Sequence, residues 1–192
     1  MPYSKQHKQQ SRKRILQSAA QLFTAKGFDN TSIDEIMASA DMTRGAFYAH
    51  FASKSELYAQ ALIYAATNSI FSMPKPDNLP EQSLVETILR GYLSLGHING
   101  EMPCPLAFLV TDVVNQDPQV RKTYTKVFKG MNRQLLKHAK AYSSCTEDTL
   151  LAVTAMMIGG VAIGRALDDK ATTKKLLGSC HQVAQSLLND EP

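Results

Sequence analysis

Apolar residues recur every three or four positions along most of this chain, a spacing that predicts helices rather than strands. Ile15, Ala19 and Phe23 mark the buried side of a helix over about Ser11–Lys26, which Gly27 is placed to end. Further helices are predicted over residues 81–97, 118–142, 147–167 and 172–188. The pattern therefore indicates an all-α fold.

Residues 31–58 carry the capping signals of three closely spaced helices. Ser32 followed by Glu35 is a capping box, which predicts that a short helix begins directly after Ser32. Thr43 is placed to cap a second helix over residues 44–50, and Ser53 with Glu56 repeats the capping box before a third. Two short helices joined by a tight turn are the outline of a helix-turn-helix.

The second of these helices has a composition that folding alone does not require. Gly45 lies in its first turn, where glycine costs about 1 kcal/mol relative to alanine. A missing Cβ there suits a helix start that must closely approach a phosphate. Arg44, Tyr48, His50 and Lys54 supply hydrogen-bond donors. At about 1.5 Å per residue the helix is roughly 10 Å long, short enough for a DNA major groove about 12 Å wide.

Composition and charge fit a helical protein that binds nucleic acid. The 192 residues, 44% of them hydrophobic, are enough for a small DNA-binding unit and a larger helical domain. The net charge is +4, and five of the basic residues lie in an acid-free arm over residues 1–14, which we expect to be disordered up to about Gln9.

The cysteines and the terminus favour a cytoplasmic protein without a metal or cofactor. Three cysteines, at positions 104, 145 and 180, have neither a disulfide nor a metal-ligand spacing and predict free thiols. The N-terminus lacks the apolar segment of a signal peptide, and no window is long and apolar enough to predict a membrane span. No catalytic motif is present, so we do not expect an enzyme.

Two segments resemble the DNA-binding domain of the tetracycline-repressor (TetR) family of bacterial transcription regulators. They are AQLFTAKGF at 20–28 and TRGAFYAHF at 43–51, the latter followed by Ser53, Lys54, Glu56 and Leu57. The resemblance implies a three-helix helix-turn-helix domain with the basic arm over residues 1–54. It also implies a helical-bundle domain for ligand binding and dimerisation over residues 55–192, about nine helices in all. The implied function is that of a homodimeric repressor, released from a palindromic DNA operator by a small-molecule inducer or by thiol modification.

The resemblance also assigns the DNA contacts. Arg44 is expected to contact guanine and Ala49 a thymine methyl group. The other residues are expected to lie on the DNA backbone, and they are Thr31, Thr43, Gly45, Ala46, Tyr48, His50 and Lys54.

The segment LLAVTAMMIGGVAIGRAL, residues 150–167, holds only one charged residue, Arg165. A helix that is apolar on every side must be buried on every side, and a second subunit is the simplest way to cover part of it. In the resembled family the last two helices dimerise as a four-helix bundle. The predicted interface residues are Met157, Gly160, Val161, Gly164, Cys180, Val183 and Leu187.

An inducer is expected among the central helices, and its predicted contacts are Tyr92, Cys104, Phe108, Tyr124, Phe128 and Met131. The segment Cys104-Pro-Leu-Ala also resembles a subgroup of the family, and some family members sense oxidants or electrophiles through a cysteine. The helix over 118–142 carries a basic face, which we interpret as solvated in preference to a second nucleic-acid surface.

Two other functions stay open at this point. An activator or architectural DNA-binding protein would need no ligand and no internal cavity. A thiol-dependent enzyme would need a cation close to Cys104 to stabilise its thiolate.

Overall fold

The computed structural model describes residues 5–69, 75–100 and 104–189, which form ten α-helices and one short 3-10 helix. The all-α prediction is confirmed, with ten helices in the described ranges where about nine were expected. The helices are α1 (Lys5–Lys26), α2 (Ile33–Ser39), α3 (Arg44–Phe47), α4 (Lys54–Thr67), α5 (Glu81–Tyr92), α6 (Leu95–Asn99), α7 (Pro105–Phe108), α8 (Pro118–Ala139), α9 (Glu147–Ala166) and α10 (Lys170–Asn189), with the 3-10 helix at Val113–Asn115 between α7 and α8.

The extra helix arises where the predicted helix over 81–97 divides. Leu93 leaves the helical region with ψ 53°, which ends α5. The Ser94 hydroxyl then accepts a hydrogen bond from the His97 amide at 3.1 Å and caps α6. A serine that offers an alternative partner to the backbone thus interrupts the helix.

The capping signals around the helix-turn-helix are largely confirmed. Ser32 accepts from the Glu35 amide and Ser53 from the Glu56 amide, each at 3.0 Å. The Glu56 carboxylate accepts from the amide of Ala52, the residue before the N-cap, at 2.7 Å. Thr43 has N-cap backbone geometry, but its side chain makes no capping hydrogen bond.

Two helix boundaries differ from the prediction. The second helix of the motif ends at Phe47 rather than near His50, and residues 48–50 continue as a turn. The prediction of a disordered start up to Gln9 was wrong from Lys5 onward, because α1 begins there. Residues 1–4 lie outside the described ranges.

The described residues pack around two hydrophobic clusters. The N-terminal cluster joins α1 to α4 and includes Ile15, Phe23, Phe47 and Tyr58, together with residues of the α7–α8 region such as Val113. The C-terminal cluster joins α5 to α10. Since α4 packs in the N-terminal cluster as far as Ala65, the division between residues 54 and 55 stays a prediction.

Helix α9 is long and apolar enough, by length and composition alone, to cross a membrane. The core helix of a globular protein passes the same test, and eight residues of α9 are buried. They contribute to the C-terminal cluster, with Val153, Met157 and Val161 fully enclosed. The composition of α9 is therefore that of a packed core helix.

Candidate nucleic-acid interface and effector cleft

Helix α3 is fixed to the N-terminal cluster by two aromatic side chains and presents its other side to solvent. Phe47 and Phe51 are buried, with their ring centroids 5.8 Å apart. Tyr48 packs edge-on against Phe47 yet is 61% exposed. Anchoring on one side and exposure on the other give α3 a defined orientation toward a partner.

Arg44 is the main charged group of this exposed side. Its side chain is 59% exposed, and it donates to the Asp34 carboxylate at 2.6 Å. The Tyr48 hydroxyl first, and the Asp34 charge next, raise the pKa of Arg44. Asp34 and Tyr48 thus hold a charged, outward-facing guanidinium in place, the donor geometry that recognises guanine.

The small residues of α3 leave space beside Arg44. Thr43, Gly45 and Ala49 are exposed, and Ala46 is half-buried. A Cβ added at Gly45 would meet only the Thr43 hydroxyl, at 4.0 Å. Because packing does not require glycine here, its missing side chain is available for a close approach by a ligand.

Replacing Gly45 with alanine is expected to separate folding from DNA binding. The change should leave the free energy of unfolding unchanged or raise it by up to about 1 kcal/mol, since alanine favours the helix. DNA affinity should fall if the helix start meets a phosphate closely. Thermal unfolding and a DNA-shift titration at one salt concentration measure the two effects. Gly178→Ala, at an exposed glycine of α10 where a Cβ would meet nothing within 4 Å, is the matched control and should raise the free energy of unfolding without changing DNA affinity. Unchanged affinity of Gly45→Ala for DNA would contradict the role of Gly45.

His50 lies at the junction of the turn after α3 and the basic residues of α1. Burial first, and then the charges of Lys8 and Arg12, lower the pKa of His50. Its Nδ1 atom is buried and has no hydrogen-bond partner among the described residues. Arg12 is held nearby, donating to the Gln60 side chain and stacking over the Phe51 ring at 5.0 Å. Lys8 and Arg12 therefore lie close enough to His50 for their charges to act on its ring.

DNA affinity is expected to rise as the pH falls from about 7.5 toward 6. The pKa of His50 is lowered in the free protein, and a phosphate would offset the neighbouring positive charges and raise it. Binding then takes up a proton between the two pKa values, so affinity changes by at most about tenfold per pH unit for each head. His50→Gln should abolish this dependence, and His181→Gln on α10 should retain it. A DNA titration across pH at constant salt measures both, and an unchanged profile in His50→Gln would contradict the assignment.

Two residues predicted to contact the DNA backbone, Thr31 and Lys54, are buried or half-buried. The prediction for Thr31 is corrected: it is fully buried, and its hydroxyl donates to the Gly27 carbonyl at 2.8 Å, so its side chain cannot reach a phosphate in this conformation. Lys54 is half-buried, with its ammonium 4.2 Å from the Phe28 ring centroid. The other predicted contacts share the exposed or half-buried surface around α3.

The sequence model described as "Bacterial regulatory proteins, tetR family" matches residues 15–61, the segment that builds this surface. Residues 15–61 are therefore a TetR-family DNA-binding domain.

Two relatives differ in how much of this chain they match. The transcriptional regulator AcrR of Shigella flexneri is 44% identical over 57 residues, which are 30% of this chain and 26% of AcrR. The transcriptional repressor BepR of Brucella suis biovar 1 is 25% identical over 166 residues, covering 79% of this chain and 78% of BepR. A TetR transcriptional regulator from Chloroflexus aurantiacus shares the fold, with a TM-score of 0.75, 18% identity and coverage of 97% and 98% of the two chains.

Two side chains from the C-terminal half bind the segment that joins α1 to α2. The Asp112 carboxylate accepts from the Phe28 amide at 3.2 Å and from the buried Tyr58 hydroxyl. Arg165, from α9, donates to the carbonyls of Thr24 and Ala25 at 2.7 and 3.1 Å. We call Asp112 and Arg165 the interdomain clasp.

The clasp uses the special geometry of the end of α1. Gly27 ends α1 with φ +79°, a conformation that favours glycine, and a Cβ at this position would lie only 3.0 Å from an Asp112 carboxylate oxygen. The guanidinium of Arg165 lies at the carbonyl end of α1, where the helix dipole favours a cation. Arg165 also stacks over the Phe108 ring at 4.2 Å. Sequence reasoning missed this pair, although a lone arginine in an apolar helix was a signal.

A cleft of about 230 Å³ lies between α4, α7 and α8. Of the six predicted ligand contacts, only Cys104 and Met131 line it, so the prediction is corrected for the other four. Tyr92 is buried against His97, Phe108 lies under Arg165, Tyr124 donates to the Leu106 carbonyl, and Phe128 packs on the C-terminal cluster. The cleft residues that the prediction missed include Ile63, Leu106, Lys126, Val127 and Gly130.

Cys104 does not have the environment of a reactive thiol. Burial raises the pKa of Cys104, and hydrogen bonds from Tyr92, Ala107 and Leu106 offset this only in part. No cation is among these partners. The thiol is therefore largely protonated at neutral pH, which disfavours nucleophilic or oxidant chemistry at this sulfur. Among the described residues, no group of three or more His, Cys, Asp or Glu side chains could hold a metal ion.

The predicted interface residues on α9 lie on its inner side, and this prediction is corrected. Met157 and Val161 are fully buried. A Cβ at Gly160 would lie 3.0 Å from the Cys180 sulfur, and one at Gly164 would lie 2.9 Å from Ile98. The glycines therefore admit close packing within one subunit.

A different set of small and apolar residues lies exposed on α9 and α10. Ile163 is 53% exposed and Val183 is 50% exposed, whereas the predicted interface residues Cys180 and Leu187 are half-buried. Four exposed apolar residues of α9 follow one another at intervals of four, eight and three positions, and they are Leu151, Ala155, Ile163 and Ala166. We call this set with Val183 the outer α9–α10 face.

Proposed function

We propose that the chain is a homodimeric transcription repressor that binds a palindromic DNA operator and is released by a small molecule in the cleft. The observation that carries the DNA-binding part is the exposed side of α3. There Arg44 and Tyr48 project beside an open Gly45, while Phe47 and Phe51 fix the helix to the core. This arrangement suits insertion into a major groove. A cytoplasmic location is part of the proposal, because the operator is there.

Selection of bound sequences from a random DNA pool tests the DNA-binding part. The expected product is an inverted repeat whose half-sites lie on one side of the duplex, about one helical turn or a multiple of it apart. Each half-site should contain a guanine whose replacement matters most. Enrichment of a single unrepeated site would overturn the dimeric mode, and no enrichment at all would overturn specific binding.

The outer α9–α10 face supports the dimer. A ridge of apolar side chains exposed on two adjacent helices is costly in water and is covered when two copies form a four-helix bundle. Ile163→Glu, at the middle of this face, should convert the dimer into monomers and weaken operator binding. Lys174→Glu is a control on an exposed position of α10. Sedimentation at matched protein concentrations reports the mass, and a dimeric Ile163→Glu would contradict this interface.

Release would act through α4, the helix that connects the cleft with the helix-turn-helix. Ile63 and Ala66 of α4 line the cleft, while Leu57 and Tyr58 of the same helix pack in the N-terminal cluster. An occupant that binds better to one orientation of α4 shifts the population toward that orientation. The interdomain clasp transmits the same displacement to the end of α1.

Other triggers and functions are less well supported. Thiol modification at Cys104 is disfavoured by its burial and raised pKa. If Cys104→Ser keeps normal release by the native inducer, that thiol is not the trigger. An activator or architectural role is distinguished by transcription from an operator-bearing promoter, where the repressor proposal expects less transcript when the protein is present.

A further inference from the structure

Gly130 keeps the cleft between α4, α7 and α8 open. It lies in the interior of α8, where glycine costs about 1 kcal/mol relative to alanine. Neither packing nor backbone geometry requires glycine, because a Cβ there would meet nothing within 4 Å. The effect of this glycine is thus to leave space along the cleft that it lines. An unfilled apolar space that costs helix stability is typical of a binding site.

The size and walls of the cleft define the body of its occupant. Ile63, Leu106, Val127 and Met131 make the lining mainly apolar. An engineered apolar cavity of about 150 Å³ accommodates benzene, so a cleft of about 230 Å³ accommodates a substituted aromatic ring or a short alkyl chain. The occupant is therefore small and largely apolar.

Among the described residues, the cleft is lined by one positive charge and by no acid. Lys126 is the charged residue among the lining residues, none of which is Asp or Glu. Lys126 also makes no ion pair within the described ranges. The thiol of Cys104, with its raised pKa, adds no negative charge. As far as the described ranges go, the cleft combines apolar walls with one cation that has no ion-pair partner.

Lys126 belongs to a row of six exposed cations along α8, which we call the basic stripe. Its members recur at intervals of three and four over about 27 Å, and they are Lys122, Lys126, Lys129, Arg133, Lys137 and Lys140. No acidic residue occurs between Asp117 and Glu147. A surface of one sign raises the local concentration of oppositely charged ligands. The stripe therefore favours anions at the mouth of the cleft.

We propose that the cleft binds a small amphipathic anion, with its apolar body between α4 and α8 and its anionic group on Lys126. Aromatic and aliphatic carboxylates of about ten to fifteen non-hydrogen atoms belong to this class, judged from the benzene comparison. The proposal names the chemical class of the inducer, and in that respect it rests on the proposed function.

A series of three probes of one shape tests the charge preference on the DNA-free protein. The probes are 4-ethylbenzoate, neutral 4-ethylbenzamide and cationic 4-ethylbenzylamine, measured by titration calorimetry. The benzoate is expected to bind about fivefold more tightly than the amide, a ratio at the upper end for an exposed ion pair, and the amine most weakly. Equal or tighter binding of the amide or the amine would overturn the proposal. So would the absence of binding by all three probes.

Three variants test whether the probes bind in this cleft. Lys126→Met should remove the preference for the benzoate and leave the amide unchanged. Lys129→Met is the matched control, because Lys129 lies on the same stripe but does not line the cleft, and it should keep most of the preference. Gly130→Leu should abolish binding of all probes by filling the space, while thermal unfolding shows that the variant is folded. A benzoate preference that persists in Lys126→Met, or binding that survives in Gly130→Leu, would overturn the site.

DNA release is measured separately, so that failure of the ligand class and failure of the proposed function can be told apart. Benzoate that binds the cleft but leaves the operator complex intact supports the ligand class and contradicts release through this cleft. Another possible outcome is that a neutral or cationic molecule releases the DNA and is no longer bound by Gly130→Leu. That outcome supports a ligand-released regulator and contradicts the proposal that its inducer is an anion.

Discussion

Replacing Arg44 with alanine is expected to weaken operator binding by about 1–3 kcal/mol, roughly 5- to 150-fold, and to relax the preference at one base pair in each half-site. The physical reason is that the side chain projects from the anchored helix α3 with a fixed charge, held by Asp34 and Tyr48. A guanidinium that is already oriented loses little freedom when it binds a guanine edge. Binding to a set of operators with each base replaced in turn measures both affinity and preference.

Arg14 offers a matched control for Arg44. It is also an exposed arginine paired with an exposed acid, Asp41, at 3.3 Å. Arg14→Ala removes the same charge, so it should lower the affinity for all sequences alike or leave it unchanged, without relaxing any base preference. Both exposed ion pairs contribute at most about 1 kcal/mol to folding, so both variants should unfold near the wild-type temperature. If Arg44→Ala keeps every base preference, Arg44 is not the base-reading residue.

Replacing Asp112 with alanine is expected to lower the free energy of unfolding by about 2–4 kcal/mol. The change leaves the buried Tyr58 hydroxyl and the Phe28 amide without their acceptor, and each buried unsatisfied donor costs about 1–3 kcal/mol. Burial and the hydrogen bond with Asp112 already raise the pKa of Tyr58 well above its usual range, so the phenol stays protonated and needs an acceptor. Urea unfolding at fixed protein concentration measures the loss.

Three variants show whether the loss belongs to the clasp. Asp112→Asn keeps an acceptor oxygen and should lose less than Asp112→Ala. Tyr58→Phe removes one donor, and its effect should be non-additive with that of Asp112→Ala, because the two residues share one bond. Asp77→Ala, in the exposed loop before α5, should change the free energy by no more than about 0.5 kcal/mol. An Asp112→Ala variant as stable as Asp77→Ala would contradict the clasp.

The clasp also gives the two halves of the chain a physical connection that does not pass along α4. Arg165 extends from α9, the helix that carries the outer α9–α10 face, and its bonds end on α1, the helix that carries the basic arm. In the proposed dimer, a rearrangement at the outer α9–α10 face would therefore reach α1 by direct contact. Arg165 is partly buried, and burial lowers the pKa of its guanidinium, but the group remains charged at neutral pH.

The sequence predicted best where function and folding both act through local interactions. The capping bonds of Ser32 and Ser53 depend on residues only three positions apart, and both bonds are present. The exposed side of α3 was also predictable, since Phe47 and Phe51 had to face the core and Arg44 and Tyr48 were left outside. The ends of helices were less predictable: α3 ends at Phe47, where the backbone has turned toward the start of α4.

Prediction failed where the partner of a residue lies far along the chain. Helix α9 is apolar on all sides, so its sequence does not indicate which side faces the core. Its inner glycines were assigned to the subunit interface, although they pack on Cys180 and Ile98. The six predicted ligand contacts were aromatic or sulfur-bearing residues, but four of them serve the cores or the clasp. Thr31 looked accessible beside the helix-turn-helix, although its hydroxyl is used by the end of α1.

By itself the sequence determined that the chain is all-helical, where its helix-turn-helix lies and which family it resembles. These features depend on helical periodicity, caps and a compact motif, all of which are set by neighbouring residues. Only the tertiary structure decided which side of α9 is exposed. It also decided that Asp112 and Arg165 form hydrogen bonds with the end of α1, and that Lys126 and Gly130 line one cleft. Those facts depend on residues brought together across 80 to 140 positions of chain or on how one helix is rotated against its neighbours. Packing sets that rotation, and no local pattern records it.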